Sequence, residues 1–525
     1  MLNVEDGEGA GLAHALRAWL QAREGGPVEL VETHLSCILL TPQWAYKLKK
    51  PVQLPFADFR TVAARRHFCE EELRLNQRLA PALYVAVLPV LGCVQAPRLA
   101  EADDPEGAAA AIDWVLRMRR FPAGAELDAL VRAGRLEPAE VDAFALQLAR
   151  FHMQAPVAPE GSEWGGAVQV AQSIHAVFDT LAPLMRGEEG ARLAALRAWF
   201  ERQRGALRAA WGTRRAGGHV RECHGDLHLA NVVRLAEGIT AFDCIEFSPA
   251  LRWIDTLADA AFFSMDLHAH GRSDLAWRFW DGYLAATGDY AGLAVLRPYE
   301  VYRALVRAMA ARLRAAQGAA HAAGPDYLAC AEALAAATAP RLLITHGLSG
   351  SGKSTVAAAL LQHGAIRLRS DVERKRLHGL APLDRSAGSG LDLYTPAATE
   401  RTMQHLAQQA GAALQAGYAV VVDATFLRRQ DRDAFCALAR RLRVPFTILH
   451  CHAPAAQLRD RLTHRQAAGT DPSEADGDVL VRQERSAEPL APQERACALE
   501  VPTHKAWDAA LLYRRWQAAS RSPSS

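Results

Sequence analysis

The sequence predicts two folds in succession: an α+β domain with a small β-rich lobe and a larger helical lobe, then an α/β domain with a parallel sheet. Three observations carry that prediction. Strand-like stretches crowd the first 120 residues, helical spacing dominates from there to about residue 338, and beyond Pro340 strands and helices alternate. The late strands are almost continuously apolar, as in a parallel sheet covered on both faces. At 525 residues the chain also exceeds what one core usually holds. The division drawn from these patterns is 1–120 for the small lobe, 121–338 for the helical lobe and 339–525 for the α/β domain.

Taken in order, "VELVETHLSCILL" (28–40) reads as a strand, Thr41-Pro42-Gln43 as a turn and "WAYKLKK" (44–50) as the returning strand. "RRHFCEEELRLNQRLAP" then places Phe68, Leu75 and Leu79 at helical spacing and ends at Pro81. "LYVAVLPVL" and "AIDWVLRMRRF" are two further strands, and Phe121-Pro122 breaks the pattern. Within the helical lobe, an island from Glu222 to Phe247 reads as strand and loop. The alanine-rich "YLACAEALAAATAP" ends at Pro340. After it come "RLLITHG", "AIRLRSD", "GYAVVVDATF" and "FTILHCHAP", each followed by a helical pattern.

Composition narrows the function classes. Half the residues are hydrophobic and 22% are charged, and Lys plus Arg (60) nearly balances Asp plus Glu (58), so bulk charge gives no case for a nucleic-acid partner. Nine scattered cysteines, with no Cys-x-x-Cys, suit reduced thiols in a cytoplasm. The acidic start "MLNVEDGEGAG" lacks the order of a secretory signal, and no apolar run approaches a membrane span. "HCH" (450–452) and "HAH" (268–270) read as the end of a strand and part of a helix rather than as metal ligands.

The island in the helical lobe contains "CHGDLHLANVV" (223–233). Phosphoryl transfer to a hydroxyl needs a carboxylate to orient or deprotonate the acceptor, oxygen ligands for magnesium, and a cation on the phosphates. Asp226 is the candidate carboxylate; Asn231 and, on the next strand, Asp243 are candidate magnesium ligands. An Asp, an Asn five residues on and a later strand Asp form the arrangement of the protein-kinase-like fold. The loop His224, Gly225, Asp226, His228, Asn231 is closer still to the His-Gly-Asp-x-His-x-x-Asn of the aminoglycoside phosphotransferase family, which the chain resembles over about 25–335. The resemblance implies a phosphate-binding lysine on "AYKLKK", Lys47 ahead of Lys49, and a helix partner at Glu72 ahead of Glu71. Two departures stand out. No glycine occurs between Val28 and Val52, so the turn near Thr33 to Ser36 would have to cover the phosphates, and no Phe-Gly follows Asp243.

A second phosphate-handling pattern follows "RLLITH". Gly347 to Ser354 satisfies Gly-x-x-x-x-Gly-Lys-Ser and opens a helix, which is the context of a P-loop. Gly347, Gly350, Ser351 and Gly352 let backbone amides converge on phosphate oxygens, Lys353 reaches the β and γ phosphates, and Ser354 and Thr355 begin the helix, with Ser354 placed for magnesium. From about Pro340 to Pro502 the chain resembles P-loop kinases of the polynucleotide-kinase and zeta-toxin type. That likeness implies that Asp371 activates an acceptor hydroxyl, that Arg374 holds the substrate or the transferring phosphoryl group, and that Asp423 holds the magnesium shell. It also implies that Arg461 and Arg465 lie on a helix leading into a lid whose arginines stabilise charge on the phosphoryl group, with "AAGTDPSEADGD" as a mobile flap.

The expectation is a bifunctional phosphotransferase. Each domain would use ATP and Mg2+ to phosphorylate a hydroxyl of a small molecule, with neither membrane nor nucleic acid as partner. The alternative is a nucleotide-responsive regulator whose P-loop domain binds or hydrolyses ATP above a catalytically silent first domain.

Overall fold

A computed structural model describes residues 6–54, 57–101, 105–316, 324–336, 340–385, 393–468 and 471–519. They group into two compact units. One comprises Met1–Glu140, Gln154–Val170 and Gly212–Phe263; the other comprises Val141–Met153, Ala171–Trp211 and Ser264–Ser525. The helices between 264 and 336, which the sequence assigns to the helical lobe, therefore group with the parallel sheet.

The first unit is built on a six-stranded antiparallel sheet in the order Glu29–Glu32, Ser36–Leu40, Trp44–Lys49, Asp113–Arg119, Tyr84–Cys93, Ala96–Leu99. The single strand expected over 28–40 is in fact a hairpin. Thr33 donates its backbone N–H to the Ser36 carbonyl at 2.8 Å, and its Oγ1 accepts the Ser36 N–H at 3.0 Å. This side chain-to-backbone closure is an ST-type turn that an apolar run conceals. The helix Asp6–Glu24 was not anticipated behind the glycine-rich start; Leu12, Leu16 and Leu20 recur every four residues and bury one side of it against Leu39, Leu48 and Val90.

The helix Val62–Asn76 is capped by Thr61, whose side chain accepts the Ala64 N–H at 3.1 Å. Arg65, Cys69, Glu72 and Asn76 are buried along one of its faces, so that face is more polar than a core helix should be. A buried carboxylate has to be paired, and this one faces the strand Trp44–Lys49. A short hairpin, Val232–Leu235 with Gly238–Ala241, and the antiparallel pair of Val220–Glu222 with Trp253–Asp255 frame the island carrying Asp226. Antiparallel sheet, carboxylate-bearing helix and strand-framed loop make this a protein-kinase-like fold.

The second unit contains a five-stranded parallel sheet in the order Ala365–Arg369, Ala419–Asp423, Leu342–His346, Phe446–His452, Ala498–Pro502. Every residue of Leu342–His346 is buried, as the central strand of a doubly covered sheet must be. The edge strand Ala498–Pro502 was not anticipated. It alternates buried and more exposed positions over only five residues, which single-sequence patterning passes over. This is an α/β P-loop NTPase fold. No described helix is long and apolar enough to cross a membrane.

Candidate active sites

In the first unit the loop 223–231 is held from beneath by Asp259, a fully buried acid on the helix Thr256–Ala269. Its two oxygens accept the His224 N–H at 3.0 Å and the Gly225 N–H at 2.8 Å. Gly225 has φ +91°, and a Cβ there would meet the Leu251 carbonyl oxygen at 2.8 Å, so the turn needs glycine. His224 is fully buried, and burial lowers its pKa, with Asp259 pulling the other way. The neutral ring spans two segments: Nε2 donates to the Phe242 carbonyl at 2.8 Å and Nδ1 accepts the Asp226 N–H at 3.3 Å. The loop is thereby tied to the residue preceding Asp243.

Asn231 closes the 3₁₀ turn Leu229–Asn231 and donates its amide to the Asp226 carbonyl oxygen at 2.9 Å and to Asp226 Oδ2 at 3.1 Å. That leaves Oδ1, which carries no proton, as the atom suited to a cation. His228 Nε2 lies 3.4 Å from the same carboxylate oxygen. Asp243 adopts φ +63°, uncommon for a residue other than glycine and costly by roughly 1–3 kcal/mol. Its backbone N–H donates to Tyr84 Oη at 3.0 Å and its Oδ1 accepts from Lys47 at 2.7 Å.

Lys47 and Lys49 project from one face of their strand, as alternation requires. Both reach Glu72: Lys47 donates to Oε1 at 2.7 Å and Lys49 to Oε2 at 2.7 Å. They diverge at the other end, because Lys47 also meets Asp243 whereas Lys49 meets Glu246. Lys47, not Lys49, is thus the lysine joined to the candidate metal-binding acid. Glu71 instead pairs with Arg74 at 2.7 Å and Arg252 at 3.3 Å. Burial pulls the pKa of Lys47 down, but Asp243 and Glu72 more than offset it and hold the ammonium well above its ordinary value. Burial pushes Asp243 up and Lys47 reverses it, leaving the carboxyl below its usual range. The Asp243 side chain is 45% exposed against 0% for Glu72. Of the network's carboxylates, the one open to a ligand is the one a metal would need.

In the second unit the strand Leu342–His346 runs into the glycine loop. Gly347, Gly350 and Gly352 have φ of +139°, +81° and +84°. A Cβ at Gly347 would overlap the Cys451 carbonyl oxygen, and one at Gly350 would lie 2.7 Å from that of Leu458, so each position is closed to any larger residue. Lys353 is buried and donates to the Leu348 carbonyl at 2.7 Å, with Ser351 Oγ at 3.5 Å; Ser354 and Thr355 follow in the first turn of the helix Lys353–Leu361. Burial lowers the Lys353 pKa, opposed by the nearby carboxylates of Asp423 and Asp371 and reinforced by Arg465. Lys353 therefore lies within the field of Asp371, Asp423 and Arg465. Asp423 ends its strand buried, and its Oδ2 has no hydrogen-bond partner among the described residues, which leaves a carboxylate oxygen available to a hydrated divalent ion. A nucleotide phosphate on the loop amides and a magnesium ion near Ser354 and Asp423 fit these residues.

Asp371 is the second residue of the helix Ser370–Leu377, whose N-cap is Arg369, so it is not itself the cap. Arg374 donates to the Leu393 carbonyl at 3.0 Å and Thr399 Oγ1 at 3.1 Å, with its guanidinium 5.0 Å from the Tyr394 ring centre. Arg461 is bound to the loop itself: it donates to the Gly350 carbonyl at 3.2 Å and to Thr503 Oγ1 and carbonyl at 2.9 Å each. These bonds tie it to the P-loop backbone. Arg465 donates to the Ala475 carbonyl at 2.9 Å. Of the expected flap, Gly469 and Thr470 lie outside the described residues, and its end forms the start of the helix Gly477–Ser486.

Sequence reasoning missed Asp259, Glu246 and Arg369. Asp259 stands in the apolar "TLADAAFF", where a lone acid signals a buried partner. Arg369 Nη2 bonds Asp471 at 3.1 Å, with Nε 3.9 Å from Asp423. Its signal was available in "AIRLRSD", two arginines in a strand of a covered sheet.

An AAA domain family model, AAA_33, matches residues 342–490. Uncharacterized protein Rv2004c of Mycobacterium tuberculosis is 31% identical over 456 residues, covering 85% of this chain and 87% of that protein, and Mb2027c of Mycobacterium bovis matches equally. Among solved structures, a choline/ethanolamine kinase family protein from Mesorhizobium loti is 14% identical over 62% of this chain and 92% of its own, with a TM-score of 0.37. A gluconokinase from Sinorhizobium meliloti is 20% identical over 35% of this chain and 92% of its own, with a TM-score of 0.25.

Proposed function

We propose, from the premise that this chain belongs to one family with the mycobacterial protein Rv2004c, that it is a bifunctional ATP-dependent phosphotransferase acting on hydroxyl groups of small molecules. What supports the reading is that each unit brings together a lysine, acids and a further oxygen-bearing side chain suited to phosphate, acceptor hydroxyl and metal. These are Lys47, Asp226 and Asp243 with Asn231 in one, and Lys353, Asp371 and Asp423 with Ser354 in the other. Magnesium-bound ATP supplies an electrophilic phosphoryl group whose charge the ion partly neutralises.

The chain's own residues do the rest. Asn231 and the Asp259-held turn fix Asp226, so that its carboxylate can take the proton of an incoming alcohol. Glu72 orients Lys47, and the loop glycines present backbone N–H groups in the second site, where Asp371 takes the role of Asp226. The fold accepts many acceptors, so reaction class follows from the site and substrate identity does not. A cytoplasmic setting and the division at 120 and 338 belong to the same proposal. The glycine-free turn at 33–36 favours a second reading, in which only the P-loop unit handles nucleotide and the first unit is a scaffold.

Calorimetric titration with a non-hydrolysable ATP analogue and magnesium separates the two. Two sites per chain are expected, one abolished by Lys353→Ala and the other weakened by Asp243→Ala. A single site, removed by Lys353→Ala alone, would overturn the bifunctional reading in favour of the scaffold.

A further inference from the structure

Arg367 sits in the middle of the strand Ala365–Arg369 with a side chain only 10% exposed, and the chemistry assigned so far gives it no task. Its guanidinium is a three-way junction. Nε and Nη2 form a fork on Asp281, at 3.1 Å to Oδ1 and 2.6 Å to Oδ2. The third nitrogen, Nη1, donates to the Ser354 carbonyl at 3.3 Å and lies 4.0 Å from Asp423 Oδ2. The latter is the oxygen without a hydrogen-bond partner among the described residues. One cation therefore bonds the backbone of one residue assigned to magnesium and lies 4.0 Å from the carboxylate of the other, yet it is anchored from outside the P-loop sheet. Asp281 belongs to the helix Ser273–Thr287, far upstream in sequence.

That helix is itself fixed by the sheet domain. Arg376 donates to the carbonyls of Ala285 and Ala286 in its last turn. Gly288 follows at φ +73°, its N–H closing on the Leu284 carbonyl at 2.8 Å. A Cβ on Gly288 would meet Arg376 Nε at 2.8 Å, so glycine lets the guanidinium seat against the helix end. Tyr290 Oη then donates to the Arg367 carbonyl at 3.4 Å. Asp281 is consequently presented to Arg367 in a set position, and a bidentate fork transmits that position to the plane of the guanidinium.

We infer that Asp281 and Arg367 are a positioning pair that sets the magnesium demand of the P-loop site from the helix Ser273–Thr287. The inference rests on the P-loop reading of the previous section. While Asp281 holds the fork, the Arg367 charge is compensated and Asp423 keeps an oxygen for the ion. When the fork is released, the guanidinium turns to Asp423 and competes with magnesium for it.

The test is the free magnesium concentration giving half-maximal binding of a fluorescent ATP analogue to the full chain, compared with binding of the same analogue in excess EDTA. Asp281→Asn is expected to raise the magnesium midpoint by about fivefold or more, with magnesium-free binding unchanged; Asp281→Glu, which keeps the charge, moves it back toward wild type. In an Arg367→Gln background the Asp281→Asn shift disappears. An unchanged midpoint in Asp281→Asn, or the same shift with and without Arg367, overturns the inference. Should Asp281→Asn fail to fold in a thermal melt, Arg367→Lys, which keeps a charge but offers no fork, is expected to raise the midpoint, and a wild-type midpoint there overturns the inference. Absence of nucleotide binding by the wild-type chain is a different result and removes the P-loop reading itself.

Discussion

Glu72 and Glu71 are neighbours on one helix, yet the structure assigns them unequal weight. Glu72 is fully buried and accepts from two ammonium groups, each at 2.7 Å. Replacing it with glutamine removes two charge-assisted hydrogen bonds, which contribute roughly 1.5–3 kcal/mol each in buried surroundings. The loss is not the full sum, because Lys47 keeps Asp243 and Lys49 keeps Glu246. Relief also comes from Glu246, whose carboxyl is pushed up by burial and by the charge of Glu72 against the pull of Lys49. Glu72→Gln should therefore destabilise the first unit by about 2–4 kcal/mol, at and below the lower end of the roughly 3–5 kcal/mol for breaking a buried pair. Glu71→Gln loses Arg74, whose side chain is 48% exposed, and a 3.3 Å contact with Arg252, which keeps Glu222 at 3.2 Å, and should cost about 1 kcal/mol. Urea unfolding followed by hydrogen exchange at strand Trp44–Lys49 isolates the unit concerned, since a chain of two units need not unfold in one step. Nucleotide affinity at the first site should fall about tenfold in Glu72→Gln, as Lys47 loses its brace. A Glu72→Gln protein within 1 kcal/mol of wild type, or a Glu71→Gln protein at least as damaged, would refute the assignment of Glu72 as the hub.

Three other outcomes are expected. Gly347→Ala should abolish nucleotide binding at the P-loop while leaving the first site intact, because the added methyl overlaps the Cys451 carbonyl; a two-site isotherm with unaltered affinities would contradict it. Asp226→Asn should stop formation of one phosphorylated product in a screen of hydroxyl-bearing metabolites with nucleotide still bound, and continued turnover would remove Asp226 from the chemistry. Glu300 is 2% exposed, and burial raises its pKa to about 7, against hydrogen bonds from Ser264 at 2.6 Å and Trp280 at 3.2 Å. The folded state holds this proton more tightly than the unfolded one, so Glu300 favours folding below the unfolded value and loses that contribution as pH rises through about 7. Burial moves His268 the other way, to about 4, which partly masks the slope in wild type. The stability of wild type minus that of Glu300→Gln should accordingly fall by about 3 kcal/mol between pH 4.5 and 7. A flat difference across that range, measured by denaturant melts, would contradict the buried-acid assignment.

Legibility of the sites tracks how local their geometry is. The P-loop motif occupies eight consecutive residues, running from the end of a strand into a helix, and the Asp226–Asn231 pair spans one turn, so composition and spacing describe both. The Lys47–Glu72 and Lys47–Asp243 pairs join positions 25 and 196 residues apart. There, period-two alternation narrows the lysine to 47 or 49 and cannot go further, because both lie on the right face. What separates them is the partner beyond Glu72, a property of the folded arrangement of Asp243 and Glu246. The N-terminal helix was hidden for a different reason, since its glycines and acids mask a four-residue leucine repeat whose sheet partner lies elsewhere in the chain.

The same reasoning applies to Arg461 and Arg367. Each is an arginine that could be read from sequence only by its charge, and charge near a P-loop invites a phosphoryl-contacting role. A guanidinium carries five donors in a plane, however, and inside a protein those donors go first to fixed acceptors that would otherwise be unsatisfied. Arg461 meets the Gly350 carbonyl and Thr503, and Arg367 meets Asp281 and the Ser354 carbonyl. Both therefore act on the glycine loop and its helix from behind, where no phosphate is needed for the contact to form. Lys353 differs because, among protein partners, its flexible stem reaches a carbonyl of its own loop at 2.7 Å, a contact that an arriving phosphate can displace without dismantling a fork. The division of labour follows from side-chain geometry: forked cations build the cradle, and the point charge is left to answer the ligand.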